Sequence, residues 1–199
     1  MFVLTVDQIG SRKEPDRVAA VEADAARWRA DGAVRGPDRT AGDEFQLLFA
    51  DARAALRAVL RLTRDGRWSV GIGVGEVVSP LPATTREAQG PAFGAARVAV
   101  NAAKRAQHRA VVAADDAEAA ADLTALLQLL LDVRARRSAE GWAVADRIAE
   151  GRTQADVAEA EGVTPQAVSQ RARAAGLRLE EAAVPALTRL LARLDAAAE

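Results

Sequence analysis

The chain has 199 residues, half of them hydrophobic, which is enough for one large domain or two small ones with a real core and excludes a disordered chain. Its formal net charge of −1 gives no global attraction to nucleic acid, so any DNA affinity must reside in a local patch. There is no cysteine, and His108 is the only histidine, so disulfides, thiol catalysis, Cys-ligated zinc and a histidine-based metal site or triad drop out.

In chain order, Met1 to Val6 reads as a buried strand and Asp7 to Asp16 as a polar loop. Arg17 to Ala30 carries Val18, Val21, Ala25 and Trp28 at helical spacing, which predicts one amphipathic helix. After the breaks at Gly32 and Gly36-Pro37, a short strand from Val34, a tight turn over Thr40 to Glu44 and a second strand from Phe45 to Phe49 follow. Ala52 to Arg64 is helical, with Leu56, Val59, Leu60 and Thr63 on one face.

Trp68 to Val78 alternates apolar residues with Gly71, Gly73 and Gly75, the pattern of a strand approached closely by a backbone or a ligand. These glycines do not open a helix as a G-x-G-x-x-G loop does, which favours close packing of a helix over phosphate binding. A Pro- and Thr-rich loop, Ser79 to Gly90, leads to a helix over Ala92 to Ala106 and a last strand over Arg109 to Ala113. The order predicts an α+β sheet with its helices on one face.

From Asp116 onward every segment reads as helix. Ala117 to Arg137 bears a stripe of Leu123, Leu126, Leu127 and Leu130, suited to packing between domains or between two copies of the chain. A helix over 139 to 150 and a terminal one over Glu180 to Ala197 flank two short helices within Thr153 to Leu177. The expected domains are 1–115 and 116–199, with a helix-turn-helix at about 139–178. The most apolar stretch, Leu123 to Val133, is short for a bilayer and is interrupted by Gln128 and Asp132. No basic region followed by a long apolar run stands at the start, so a cytoplasmic protein without membrane contact is expected.

The segment Thr153 to Leu177 points to a partner class. Val157 and Ala158 face inward, Gly162-Val163 makes the corner, and Thr164 N-caps a helix whose first turn holds Pro165. Ala167 and Val168 then turn to the core, leaving Gln166, Ser169, Gln170 and Arg173 outward as side chains able to address bases and phosphates. Thr164 and Gln166 suit phosphate contact at the helix N-terminus, and Arg171 and Arg178 suit phosphate contact beyond it. No acid lies between Thr164 and Leu179. The entry Glu150-Gly-Arg-Thr-Gln-Ala-Asp-Val-Ala resembles that of sigma-factor region 4 and LuxR-type modules. Trp142 and Ile148 are expected in the core.

A second constellation lies in the first half. Asp7 ends the first strand and Asp43-Glu44 sits at a hairpin tip, so Asp7 and Asp43 are expected to share one sheet edge, where paired carboxylates can hold Mg²⁺ with phosphate oxygens. The competing reading is ordinary turn and loop chemistry.

Met1 to Ser11, Arg39-Thr-Ala-Gly-Asp-Glu-Phe-Gln, Val70-Gly-Ile-Gly-Val-Gly-Glu-Val and Gly90-Pro-Ala-Phe-Gly-Ala-Ala-Arg together resemble the SatD family, whose actinobacterial type carries a C-terminal helix-turn-helix. Beyond it lies a similarity to nucleotide-cyclase palm domains. Arg39 to Phe45 is similar to the R-x-G-G-D-E-F turn of diguanylate cyclases, with Ala41 in place of the first glycine. Asn101-Ala-Ala-Lys-Arg105 is similar to the N-x-A-x-R pattern of class III cyclases, and an alternative register puts Arg97 in the arginine's place. The resemblance implies a ferredoxin-like, cyclase-like palm sheet followed by an all-α helix-turn-helix domain. It also implies a nucleotide or metal site at Asp7, Asp43, Glu44, Asn101 and Arg105, with Asp7 and Asp43 as Mg²⁺ ligands. Ala41, the Ile9-Gly10-Ser11 loop and the lack of a base-selecting pair count against turnover. The leading expectation is a DNA-binding bacterial transcriptional regulator whose palm is a ligand sensor or a scaffold, with double-stranded DNA, a second copy of the chain and a nucleotide effector as the candidate partners. The alternatives are a Mg²⁺-dependent nucleotidyl cyclase-like enzyme and a palm that binds nucleotide without turnover.

Overall fold

The computed structural model describes residues 1–197. Five strands, β1 (Phe2–Gln8), β2 (Ala33–Ala41), β3 (Glu44–Phe49), β4 (Trp68–Val74) and β5 (Ala110–Ala113), form one mixed sheet in the order β2-β3-β1-β4-β5. Neighbours pair antiparallel except β4 and β5, which are parallel. The fold class is α+β. Between the strands come α1 (Val18–Ala23) and α2 (Ala25–Ala30), α3 (Ala52–Leu62) and α4 (Pro91–Ala103). The remainder is helical: α5 (Ala117–Ala135), α6 (Ala139–Ala149), α7 (Gln154–Glu161), α8 (Pro165–Ala174) and α9 (Leu177–Ala196).

Alternation along the strands explains how the sheet is covered. Phe2, Leu4 and Val6 of β1 stand beside Phe49, Leu47 and Phe45 of β3 and Val74, Ile72 and Val70 of β4, so these three rows of one face are apolar. Ile72 and Val112 on that face share an apolar crevice with Leu56 and Val59 of α3, Leu123 and Leu127 of α5, and Leu187 and Leu191 of α9. The opposite face receives α4. A Cβ on Gly73 would stand 2.0 Å from the carbonyl oxygen of Ala92, and one on Gly71 2.2 Å from the amide nitrogen of Val100. The two glycines therefore seat a helix directly on the strand, the close packing that their pattern suggests.

Several expectations change. Helices cover both faces and not one, because the odd and even residues of β4 both meet helices. The single helix over Arg17 to Ala30 is two short ones, interrupted at Asp24 (ψ 22°), whose carboxylate pairs with Arg61 at 3.3 Å. The Arg61 guanidinium stacks over the buried Trp28 ring at 4.3 Å. The strand expected to reach Val78 ends at Val74, and Val78 is exposed. Leu123, Leu127 and Leu130 are buried while Leu126 is largely exposed, so most of the leucine stripe is already used inside the molecule.

The chain divides into two compact units: Met1–Gln128 together with the stretch from Ala186, and Leu129–Pro185. The division falls inside α5 and α9, later than residue 115, because Leu187, Leu191 and Leu194 of α9 are buried in the first unit. No described helix is long and apolar enough to cross a membrane.

Candidate functional site

The face of the sheet under α4 is graded in polarity, row by row. At one end Val3 and Leu48 pack with Ala92 and Ala96. In the next polar row Thr5 stands opposite Gln46, whose Nε2 donates to the Thr5 hydroxyl at 3.1 Å. The last row is charged: Asp7 stands between Glu44 and Ser69. The structure thus brings Asp7 together with Glu44, its cross-strand partner, and not with Asp43, as the sequence suggests. Asp43 lies one residue before β3, where it turns to the N-terminal loop. Its carbonyl accepts from the Gln8 N–H at 2.9 Å, and its carboxylate accepts from the Ser11 hydroxyl.

Both carboxylates of the charged row are answered from α4 and the residue that caps its C-terminus. Arg97 grips Glu44 with two N–H groups, one of them at 2.7 Å, and Thr40 Oγ1 donates to the same carboxylate at 2.5 Å. The Glu44 side chain is only 5% exposed and Arg97 48%. Lys104 Nζ lies 2.5 Å from Asp7 Oδ2. The hydrogen bond from Arg97 to Glu44, with the charges of Glu44 and Asp7, holds the Arg97 guanidinium more firmly protonated than usual. Fork-shaped pairing of this kind is among the stronger side-chain interactions.

Asn101 is exposed on α4 at helical spacing between Arg97 and Lys104. Arg105 lies beyond the end of α4 and is exposed. Of the two registers left open by the sequence, it is Arg97 that meets a carboxylate. Sequence reasoning missed Lys104, although its spacing from Arg97 on one helix could have flagged it. Among the described residues no group of three or more His, Cys, Asp or Glu is arranged to hold a metal ion. A cavity of about 420 Å³ opens at the other end of β1, lined by Met1, Gly75, Glu76, Val78, Pro91 and Asp195.

In the second unit, α6, α7 and α8 enclose a small core of Val144, Val157, Ala158, Val168 and Ala172, with Ile148, Val163 and Leu177 packed against it. Thr153 caps α7 in a reciprocal box with Asp156, and Thr164 Oγ1 caps α8 by accepting from the Ala167 N–H at 3.2 Å. Between them Gly162 takes φ +65°, the left-handed turn that ends α7 and that glycine adopts without strain. The Thr153 N–H and hydroxyl hold the Asp156 carboxyl below its ordinary range.

The surface of α8 separates its polar residues. Gln166, Gln170 and Arg173 are exposed at helical spacing, Ser169 is half-buried beside them, and Thr164 is exposed at the N-cap. Arg178 is exposed at the start of α9. Arg171 is on another side. It borders the buried Val168 and Ala175, and its Nη1 donates to Glu161 at 2.8 Å. Trp142 is half-buried with the guanidinium groups of Arg134 and Arg137 over its ring at 4.9 and 4.7 Å, and both arginines pair with Glu180. Comparison with models of known protein families, with curated proteins and with solved structures finds no match to this chain.

Proposed function

We propose that the chain is a DNA-binding regulator in which α6, α7 and α8 form a helix-turn-helix unit and α8 is the reading helix. The observation that carries this reading is the exposed set Gln166, Gln170 and Arg173 on a capped helix that contains no acid and whose opposite side is the unit's core. Amide and guanidinium side chains in that pattern suit base edges and phosphates in a major groove. The resemblance to the SatD family, whose actinobacterial members end in such a module, agrees with it. One module reads only a few base pairs, so two copies on a pseudo-palindromic site are expected.

The test is a salt-titrated gel shift on the duplex upstream of the chain's own coding sequence. Arg173→Ala should weaken specific binding roughly tenfold. A folded wild-type protein that prefers no duplex over random sequence would overturn the reading. Point substitution is the better probe, because removing residues from 139 onward also strips the buried Leu187, Leu191 and Leu194 from the first unit.

For the first unit we infer a ferredoxin-like palm acting as scaffold or ligand sensor. Its β-α-β-β-α-β chain order with antiparallel neighbours β2-β3-β1-β4 supports that reading. Nucleotide turnover with Mg²⁺ on Asp7 and Asp43 finds less support. Asp7 pairs with Lys104, and Asp43 is held by Ser11. A nucleotide sensor predicts that ATP or GTP with Mg²⁺ raises the melting temperature, and that Asp43→Asn removes the shift.

A further inference from the structure

Unit two carries eight arginines, and the fold treats them in two ways. Arg134 and Arg137 pair with Glu180, Arg136 with Asp132, and Arg147 and Arg171 with the single carboxylate of Glu161. Arg152, Arg173 and Arg178 have no acidic partner within ion-pair distance among the described residues, and all three are exposed.

Glu161 ends α7 with its side chain only 17% exposed, and both of its oxygens are engaged. Oε1 lies 3.4 Å from Arg147 Nε, on the last turn of α6, and Oε2 lies 2.8 Å from Arg171 Nη1 on α8. The side chains of Arg147 and Arg171 remain 41% and 33% exposed. Glu140 adds a second negative charge. Its carboxyl is held below the ordinary range chiefly by Ser138 and its own backbone N–H, with the nearby Arg171 contributing. Two arginines therefore face two carboxylates, and the cluster is close to neutral.

We propose that Glu161 is a specificity-determining residue of the DNA-binding unit, withholding Arg147 and Arg171 from the phosphate backbone so that affinity depends on the reading face of α8. This rests on the DNA-binding reading above. Phosphate contacts supply the sequence-independent, salt-dependent part of binding, whereas base contacts supply discrimination. A unit with few free cations gains little from random DNA. Per bound copy, the unit's three arginines without an acidic partner contribute a salt slope of about −2.7, taking about −0.9 per phosphate neutralised. Releasing the Glu161 cluster adds one net positive charge and frees two guanidinium groups, which should steepen the slope by about 0.9 to 1.8.

The experiment titrates salt in gel shifts of the full chain on a random-sequence duplex and on the duplex bound best. Between about 200 mM and about 50 mM salt, Glu161→Gln should tighten on random DNA roughly three- to twelvefold more per bound copy than the wild type does, and its preference for the specific duplex should shrink. Arg171→Ala should keep the wild-type affinity within about twofold, unlike Arg173→Ala. A Glu161→Gln slope equal to the wild type's, or an Arg171→Ala loss matching that of Arg173→Ala, overturns the proposal. If those results come while Arg173→Ala still weakens specific binding, only the role of Glu161 falls. A folded wild-type chain that binds no duplex removes the DNA-binding reading, and this inference with it.

Discussion

The charged end of the sheet and the exposed side of α8 are both built from helical cations, yet they face opposite tasks. Arg97 and Lys104 point at carboxylates that the strands have already placed, so their charge is satisfied inside the fold. Arg173, in contrast, projects from a helix without acids and has no ion-pair partner among the described residues. A charge paired inside a fold serves geometry, while a charge left in solvent is open to a ligand. The same contrast recurs within α8 itself, where Arg171 is held by Glu161 two positions before Arg173.

The contrast can be broken at its foundation by Gly73→Ala. The added methyl would lie 2.0 Å from the Ala92 carbonyl, so α4 must lift from β4 and carry Arg97 away from its partner. We expect a loss of roughly 3 kcal/mol or more in denaturant unfolding. Wild-type stability in that variant would mean that α4 is not seated by the glycines. Glu44→Ala should cost less, about 2 kcal/mol, since Arg97 is half exposed and can reach water once its partner is gone. If unfolding of that variant matches the wild type, the bidentate pair serves something other than stability.

Arg173→Ala sharpens the other side of the comparison. Its unfolding free energy should stay within about 0.5 kcal/mol of the wild type, as expected for an exposed side chain with no ion-pair partner among the described residues, even as DNA affinity falls. The smallest effect is expected from Asp156. Its folded-state carboxyl titrates below the ordinary 3.8, because Thr153 donates to the charged form. The stabilisation is therefore present above the ordinary pKa and is lost as pH falls through and below it. Asp156→Asn should flatten the acid limb of the stability curve below about pH 4, as followed by helical circular dichroism. An unchanged acid limb would place the capping energy with Thr153 alone.

Local patterns made most of the elements legible. A nearly continuous apolar run marks β1, alternation of apolar residues with glycine marks β4, period 3.6 marks α3, and Gly162, Thr164 and Pro165 mark the corner and start of α8 by their own backbone preferences. Short-range chemistry also placed Gln166, Gln170 and Arg173 on the outside, because helical spacing alone sets which residues share a side. What sequence could not supply was pairing across distance. Strand register decided that Asp7 meets Glu44 and not Asp43, since a shift of one residue turns every side chain to the other face. The seat provided by Gly71 and Gly73 decided that Arg97 and Lys104 answer the carboxylates, and the packing of α7 on α8 decided that Arg171 meets Glu161. Sequence by itself determined the elements and the outward side of α8, whose causes are local. Tertiary structure alone decided which charges are neutralised, because that depends on residues far apart in the chain meeting within a few ångströms.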